Sequence, residues 1–423
     1  MTPPLLYLEP DIEPLEQLGA RGVPVVAVTG RRRDPVLASR WIRAVEWFPP
    51  QWPDELDGWF EDLIGRYPGA VVLPGSDAWA WWLAQWRGRH AGVETRLALA
   101  PQEAVHTALA KWRLYEACLR AGVAAPKTWL APSVEAALQG ARGSRFPLAV
   151  KPQSRVGNAY WGRGQLVRDE AELRNAVRRA LERARFHPAV AASIRGIEVP
   201  MVQELVPGRD RPVYHLCGYV SAAGDSAVLA HRKLLQVPRR FGSGVCFETA
   251  PVDGALAQRL LGLLGSIGYH GMFEAEFVSR GGERFLIDLN IRPYNGMRLE
   301  SERGLQLAWY AYLEALGETA QLESELAAAR ARTRHEELVF CRKLDFAAMV
   351  GGQFVGGGFA LRDLRRWVGW YRENRANMVD PWIVPGDRRV GPAHLRGQLA
   401  YWARSPRVFL GVYVRPESSA RSS

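Results

Sequence analysis

Apolar and polar positions in this chain fall into blocks whose period changes, and the changes mark the elements. Over residues 1–100, short apolar runs at 5–8, 25–28 and 70–73 are separated by amphipathic stretches, one ending near Gly19 and Gly22 and another covering 55–66. Such alternation predicts a small parallel sheet with crossover helices. Trp79, Trp82 and Trp86 recur at helical spacing behind Ser76 and Asp77, either of which would cap the helix. A stripe of that kind reads as core. From residue 101 an amphipathic helix runs through His106, Leu109, Lys111, Leu114 and Cys118 and stops at Gly122. The compact run 146–150 closes on Lys151 and Pro152, a helix spans 169–185, and 199–206 reads as a strand ended by Pro207 and Gly208.

Beyond residue 211 the period shortens to two. Runs 212–220 and 226–235 flank the turn residues 222–225 and predict a hairpin. A second hairpin is predicted from runs 271–279 and 284–293 around Gly281, Gly282 and Glu283. A three-residue loop there would pair Arg280 with Arg284, set Glu276 opposite Asp288, and leave Asn290 on the same face. A helix over 302–316 follows. Residues 321–335 are rich in Ala, Arg and Glu and read as a helical connector, and further helices are expected over 361–375 and 392–404. The glycine cluster 351–358 lacks the Lys-Ser/Thr ending of a phosphate-binding loop and reads as a plain loop.

Composition constrains this picture without redirecting it. With 423 residues, 48% hydrophobic and 23% charged, two or three ordinary globular domains are expected. The N-terminus has no basic start and the apolar run 78–86 is far too short for a bilayer, so the expectation is a cytoplasmic protein with no membrane partner. Cys118, Cys217, Cys246 and Cys341 fit no metal or redox spacing and read as structural thiols. A formal charge of +11 invites a nucleic-acid reading, but the arginines are scattered and no nucleic-acid-binding motif occurs. A positive surface attracts nucleotide phosphates equally well, so no nucleic-acid partner is expected.

Candidate chemistry gathers where strands end. Glu276 and Asp288, opposed across a hairpin, repel each other unless a cation lies between them, and hard oxygen ligands select magnesium or manganese. From the hairpin alone, that reading and a merely solvated polar face stand level. Lys151 ends a buried strand and Lys111 precedes it on a helix; together they could hold phosphates, although either alone is ordinarily a solvated lysine. Gln203, Glu204, Leu205 and Val206 form a strand end whose backbone could meet an adenine edge, with Asp210 placed for ribose hydroxyls.

In their order these segments resemble the ATP-grasp superfamily of carboxylate-amine ligases, over roughly residues 101–316. The run Phe146 to Pro152 is similar to the family strand whose lysine binds phosphates, which implies that role for Lys151. The run Ala110 to Tyr115 is similar to the helix carrying an earlier phosphate lysine, here Lys111. Gln203 to Asp210 resembles the hinge that holds adenine near Leu205 and Val206, with Asp210 where the family usually has a ribose-binding glutamate. Glu276, Asp288 and Asn290 match the family's metal ligands, acid and then acid-x-Asn, and Arg292 matches the arginine that follows. The segment 153–164 departs from the family's glycine-rich lid and carries Tyr160 and Trp161. The runs 230–238 and 241–244 look like those of predicted ATP-dependent carboligases in this superfamily.

The resemblance implies a mixed α/β and α+β fold. A pre-ATP-grasp, Rossmann-like parallel-sheet domain would cover 1–100, and an ATP-grasp domain with antiparallel sheets 101–320. Within the latter, 101–200 would carry the linker helix and lid, and 201–320 the hinge and metal ligands. A mostly helical extension would fill 321–423. ATP and Mg2+ or Mn2+ are the implied cofactors, and a small carboxylate and an amine the implied substrates. An acyl phosphate would form and be attacked by the amine, with Arg292, Lys233 and Arg232 stabilising the oxyanion. A solvated strand is the competing reading of Arg232 and Lys233. Two alternatives to the ligase remain open: transfer to a thiol, and a nucleotide-binding sensor without turnover. A homo-oligomer is compatible with the sequence.

Overall fold

The computed structural model describes residues 2–49, 53, 56–157, 164–183, 186–206, 212–239, 242–332 and 337–415. The first apolar runs form β1 (Leu5–Leu8), β2 (Val25–Thr29) and β4 (Val71–Pro74), joined by β3 (Ile42–Trp47) and β5 (Arg96–Leu97). The five lie parallel in the order β3-β2-β1-β4-β5. Every residue of β1, β2 and β4 is buried, as expected of parallel strands covered on both faces. β3 escaped the sequence reading because it is a partly exposed edge that interleaves Arg43 and Glu46 with apolar residues. The helix Asp77–Arg89 packs its tryptophans into the core: Phe60 meets Trp82 edge-on at 5.2 Å and Trp79 meets Trp82 at 5.5 Å. On the other face of the sheet, Leu5 and Tyr7 share a core with Leu307 and Tyr310 of the helix Leu307–Leu316.

Four strands, β6 (Thr128–Leu130), β7 (Leu148–Lys151), β8 (Gln165–Val167) and β9 (Met201–Glu204), form an antiparallel sheet ordered β6-β9-β7-β8. The helices Val134–Ala141 and Glu170–Arg183 bury their apolar sides against it. A larger sheet takes β10 (Val213–Val220), β11 (Ser226–Val237), β12 (Ser243–Ala250), β13 (Gly271–Arg280) and β14 (Glu283–Asn290). It is extended by β15 (Val339–Cys341) and β16 (Met378–Val379), in the order β14-β13-β10-β11-β12-β15-β16.

Two local differences from the sequence reading matter for function. The helix expected through residues 101–122 is broken at Ala110, which adopts φ −104° and ψ 103°, into Gln102–Leu109 and Lys111–Ala121. The break turns the Lys111 N–H out of the first helix, and it donates to Gln153 O at 2.8 Å. The β13–β14 turn has two residues, not three: Gly281 and Gly282 have φ of 59° and 86°, and Arg280 pairs with Glu283. A two-residue turn alone would have left Glu276 facing Ile287. A bulge restores the expected pair, because Phe277 faces Leu286 and Glu276 faces Asp288, with Ile287 as the extra residue.

The segment after residue 320 is mostly helical, with the helices Thr319–Ala331, Lys343–Val355, Leu361–Asn374 and Val390–Arg404. Phe346, Met349 and Trp367 pack on Leu235, Val237 and Val245 of β11 and β12. The glycine cluster is a loop only at its end, since residues 351–355 continue a helix.

Candidate active site

A cavity of about 1020 Å³ lies between the four-stranded and the large sheet, at the upper end of the range of roughly 300–1,000 Å³ for ligand sites. The end of β9 supplies Glu204, followed by Leu205 and Val206, at one margin. Lys151, at the end of β7, donates from Nζ to Gln203 Oε1 at 2.8 Å, and Gln203 Nε2 donates to Thr128 Oγ1 at 3.0 Å. Burial, reinforced by the nearby Lys111 ammonium, lowers the Lys151 pKa to about 8. Lys111, aimed from the first turn of its helix, is ion-paired with Asp288. Asp210 and lid residues 158–163 lie outside the described residues.

The opposite wall is the β13–β14 hairpin. Glu276 and Asp288 sit across from each other, and Lys233 of β11, almost wholly buried, donates to Glu276 Oε2 at 2.7 Å. Burial would raise the Asp288 carboxyl, but Lys111, Lys151 and Lys233 outweigh it and hold the group below the usual carboxylate range. Asn290 donates from Nδ2 to Glu274 Oε2 at 2.8 Å, and its Oδ1 accepts from Arg292 Nη2 at 3.3 Å. The bulge has a further effect: Ile287 and Asp288, neighbours in sequence, both line the cavity. The oxygens of Glu276, Asp288 and Asn290 are hard donors on one wall, and two ammonium groups already sit against the two carboxylates. This donor set fits a hard divalent cation such as magnesium.

Several contributors were missed in the sequence. Glu274 stands two residues before Glu276 and therefore on the same face of β13; the period-two rule alone would have found it. Its carboxylate lies 2.8 Å from His215 Nδ1, and the neighbouring His231 lies 2.8 Å from Glu300 Oε1 through its own Nδ1. Tyr294 Oη donates to Glu300 Oε2 at 3.1 Å. Although burial opposes ionisation, the two imidazoles pull the Glu274 carboxyl well below its usual range. This buried chain connects β10, β11, β13 and the helix Met297–Glu302, and only the fold assembles it. Asp77, at the start of its helix beside the first sheet, accepts from Arg292 Nε at 2.9 Å. Against the effect of burial, it raises the pKa of the guanidinium.

Arg232 requires a correction. Strand alternation turns it away from Lys233, and it pairs with Glu248 on β12 at 2.7 Å, half exposed and outside the cavity lining. Lys233 and Arg292 do line the cavity.

No family model matches the sequence, and no curated protein matches it. Solved structures do match the fold. The biotin carboxylase–βγ-ATP complex from Campylobacter jejuni has a TM-score of 0.60 at 15% identity, covering 74% of this chain and 71% of that one. The biotin carboxylase domain of Hydrogenobacter thermophilus 2-oxoglutarate carboxylase, in complex with MgADP, ADP and bicarbonate, scores 0.60 at 13% identity, covering 75% and 70%. L-amino acid ligase from Bacillus licheniformis scores 0.57 at 15% identity, covering 74% and 75%. At these identities the likeness is one of fold. That fold is the ATP-grasp fold, with a helical C-terminal part.

Proposed function

We propose that this protein is an ATP- and magnesium-dependent ligase that activates a carboxylate as an acyl phosphate and joins it to an amine. One observation carries the reading: a single cavity has the strand end 204–206 at one margin, Lys111 and Lys151 facing Glu276, Asp288 and Asn290, and Arg292 beyond them. The nucleotides and magnesium in complex with the carboxylase neighbours, and the ligase among them, support it.

In this reading the backbone at Leu205 and Val206 holds adenine, and Lys111 and Lys151 turn to the phosphates. Glu276, Asp288 and Asn290 hold magnesium, which when bound neutralises charge on the transferring phosphoryl group. A carboxylate oxygen of the acid attacks the γ-phosphorus, the bond to the β–γ bridging oxygen breaks, and ADP leaves. The amine then attacks the acyl carbon; a C–N bond forms, the C–O bond to phosphate breaks, and the amine gives up a proton. Arg292, braced by Asp77, stabilises the developing oxyanion together with Lys233, each well-aimed donor being worth ~3 kcal/mol. Holding acyl phosphate and amine together supplies much of the remaining acceleration.

The test is a paired screen of acids and amines for magnesium-dependent ADP release, with mass detection of the condensed product. An amide product whose formation stops in Asp288→Asn supports the reading. ADP release indifferent to magnesium, or a thioester as the only product, would sink it.

A further inference from the structure

Beside the magnesium wall, β10, β11 and β13 gather a second set of ligand atoms that the ligase reading leaves without a task. His215 of β10 stands directly opposite His231 of β11, and Glu274 of β13 stands one pleat along, opposite Cys217. Strand parity turns all four to one face of the large sheet, the face that also carries Glu276. The side chains of His215, His231 and Glu274 are only 1%, 0% and 5% exposed, so bulk solvent does not supply their partners.

Geometry, outer contacts and charge distinguish this cluster from an ordinary buried hydrogen-bond network. One oxygen serves both rings: Glu274 Oε1 lies 2.8 Å from His215 Nδ1 and 3.7 Å from His231 Nε2, and one ligand atom from each of the three residues falls within 4.8 Å of the others. Bonds of ~2.0–2.1 Å to a tetrahedral ion would set such atoms roughly 3.3 Å apart, so small side-chain adjustments suffice. The supporting contacts are already in place. His231 donates from Nδ1 to Glu300 Oε1 at 2.8 Å, which leaves its Nε2 for the Glu274 side, and Glu274 Oε2 accepts from Asn290 Nδ2 at 2.8 Å. A carboxylate behind a ligating imidazole, and a hydrogen bond on the second oxygen of a ligating carboxylate, are the usual outer supports of a metal centre. Phe247 meets both rings edge-on, at 5.8 and 4.8 Å, and fixes their planes. The charges also close: two buried carboxylates, two neutral imidazoles and one divalent ion sum to zero.

We infer that His215, His231 and Glu274 hold a divalent transition metal ion of the zinc type, distinct from the magnesium that accompanies the nucleotide, with Glu300 orienting His231 from behind. The inference does not rest on the ligase reading. Two imidazoles favour zinc over magnesium, which prefers oxygen throughout. The ion takes the place of the proton between His215 Nδ1 and Glu274 Oε1, and three protein donors leave one position for a small ligand such as water. His215 and Glu274 line the cavity, which gives the ion a route in. Because Glu274 also accepts from Asn290, the ion would fix that amide beside the magnesium wall while tying β10, β11 and β13 together.

The test strips the full chain with a chelator, restores Zn2+, and measures metal content by mass spectrometry after gel filtration in excess Mg2+. A single retained equivalent is expected, with a higher melting temperature than the stripped chain and an X-ray absorption spectrum that shows two imidazole ligands and no sulfur. His215→Gln and His231→Gln should each lose the zinc, and Glu300→Gln, which touches no ion, should weaken its affinity roughly 10- to 100-fold. Asp288→Asn, which alters the magnesium wall, and Cys217→Ser should both keep it. No retained zinc, retention in both histidine variants, loss in Asp288→Asn, or a sulfur ligand in the spectrum would overturn the inference. The spectrum reads the unaltered chain, so it decides the matter even where a histidine variant does not fold.

Discussion

Lys111 pairs with Asp288 and Lys233 with Glu276, so an ammonium group sits against each of the two facing carboxylates of the hairpin, and Lys151 donates to the Gln203 amide. Each of these contacts can be exchanged for a phosphate or a cation without leaving a buried charge uncompensated, which is what a nucleotide site requires. Asp288→Asn and Lys151→Met are therefore expected to abolish ADP release. Both variants are expected to remain folded; calorimetry beside a coupled ADP assay checks both, and loss of folding in both variants would make the roles structural. The lowered pKa of Lys151 sets a pH dependence. Phosphates favour its ammonium form, so nucleotide affinity should be full below about 8 and fall as pH rises through that value, while Lys151→Arg, which stays charged, should lack the fall. Folding responds with the opposite sign. Below about 8 the buried ammonium carries a cost absent from the unfolded chain, so this group's contribution to stability rises as pH climbs from about 8 toward the ordinary 10.5. Lys111, Lys151, Glu276, Asp288 and Asn290 were visible in sequence because each sits at a fixed place relative to a strand or turn. Arg232 falls outside the cavity lining, on the solvated side that was its competing reading, because strand alternation turns it away from Lys233.

The elements that aim these side chains depend on small irregularities. Gly281 and Gly282 both occupy the left-handed region that a two-residue hairpin needs. Gly281→Ala and Gly282→Ala should each lower stability by about 1 kcal/mol, read in denaturant melts. The bulge at Ile287 then brings Asp288 opposite Glu276 despite the shorter turn. Hydrophobic alternation made the hairpin legible, but a bulge leaves no mark in alternation that a longer loop would not also leave. The break at Ala110 was equally hidden, since the apolar spacing continues across it; the partner of the freed N–H, Gln153 O, comes from a distant segment.

At the scale of the whole molecule, the first sheet braces the site instead of standing apart from it. Glu13 of the helix Ile12–Gly19 accepts from the N–H groups of Gly296 at 3.1 Å and Arg298 at 2.9 Å, and Gln17 accepts from Ala308 N at 2.9 Å. Asp77 reaches Arg292 from the start of the helix that follows β4 of that sheet. Asp77→Ala should lower kcat/KM for the acid by roughly 10- to 100-fold, as expected when a group acting at the transition state loses its orientation. Affinity for AMP-PNP with magnesium should be unchanged, and an equal loss of both would show that Asp77 serves folding instead. No described helix is long and apolar enough to cross a membrane.

The sequence by itself determined the runs that form β1, β2, β4, β7, β9, β10, β11, β13 and β14, the order of the motifs and the lysine, acid and amide positions, because these follow from local periodicity and from spacing within single segments. Tertiary structure alone decided which ionisable groups meet: Glu274 with two histidines, and Asp77 with Arg292. Those contacts join residues from separate sheets and helices, and pattern along one chain carries no record of which distant surfaces pack together.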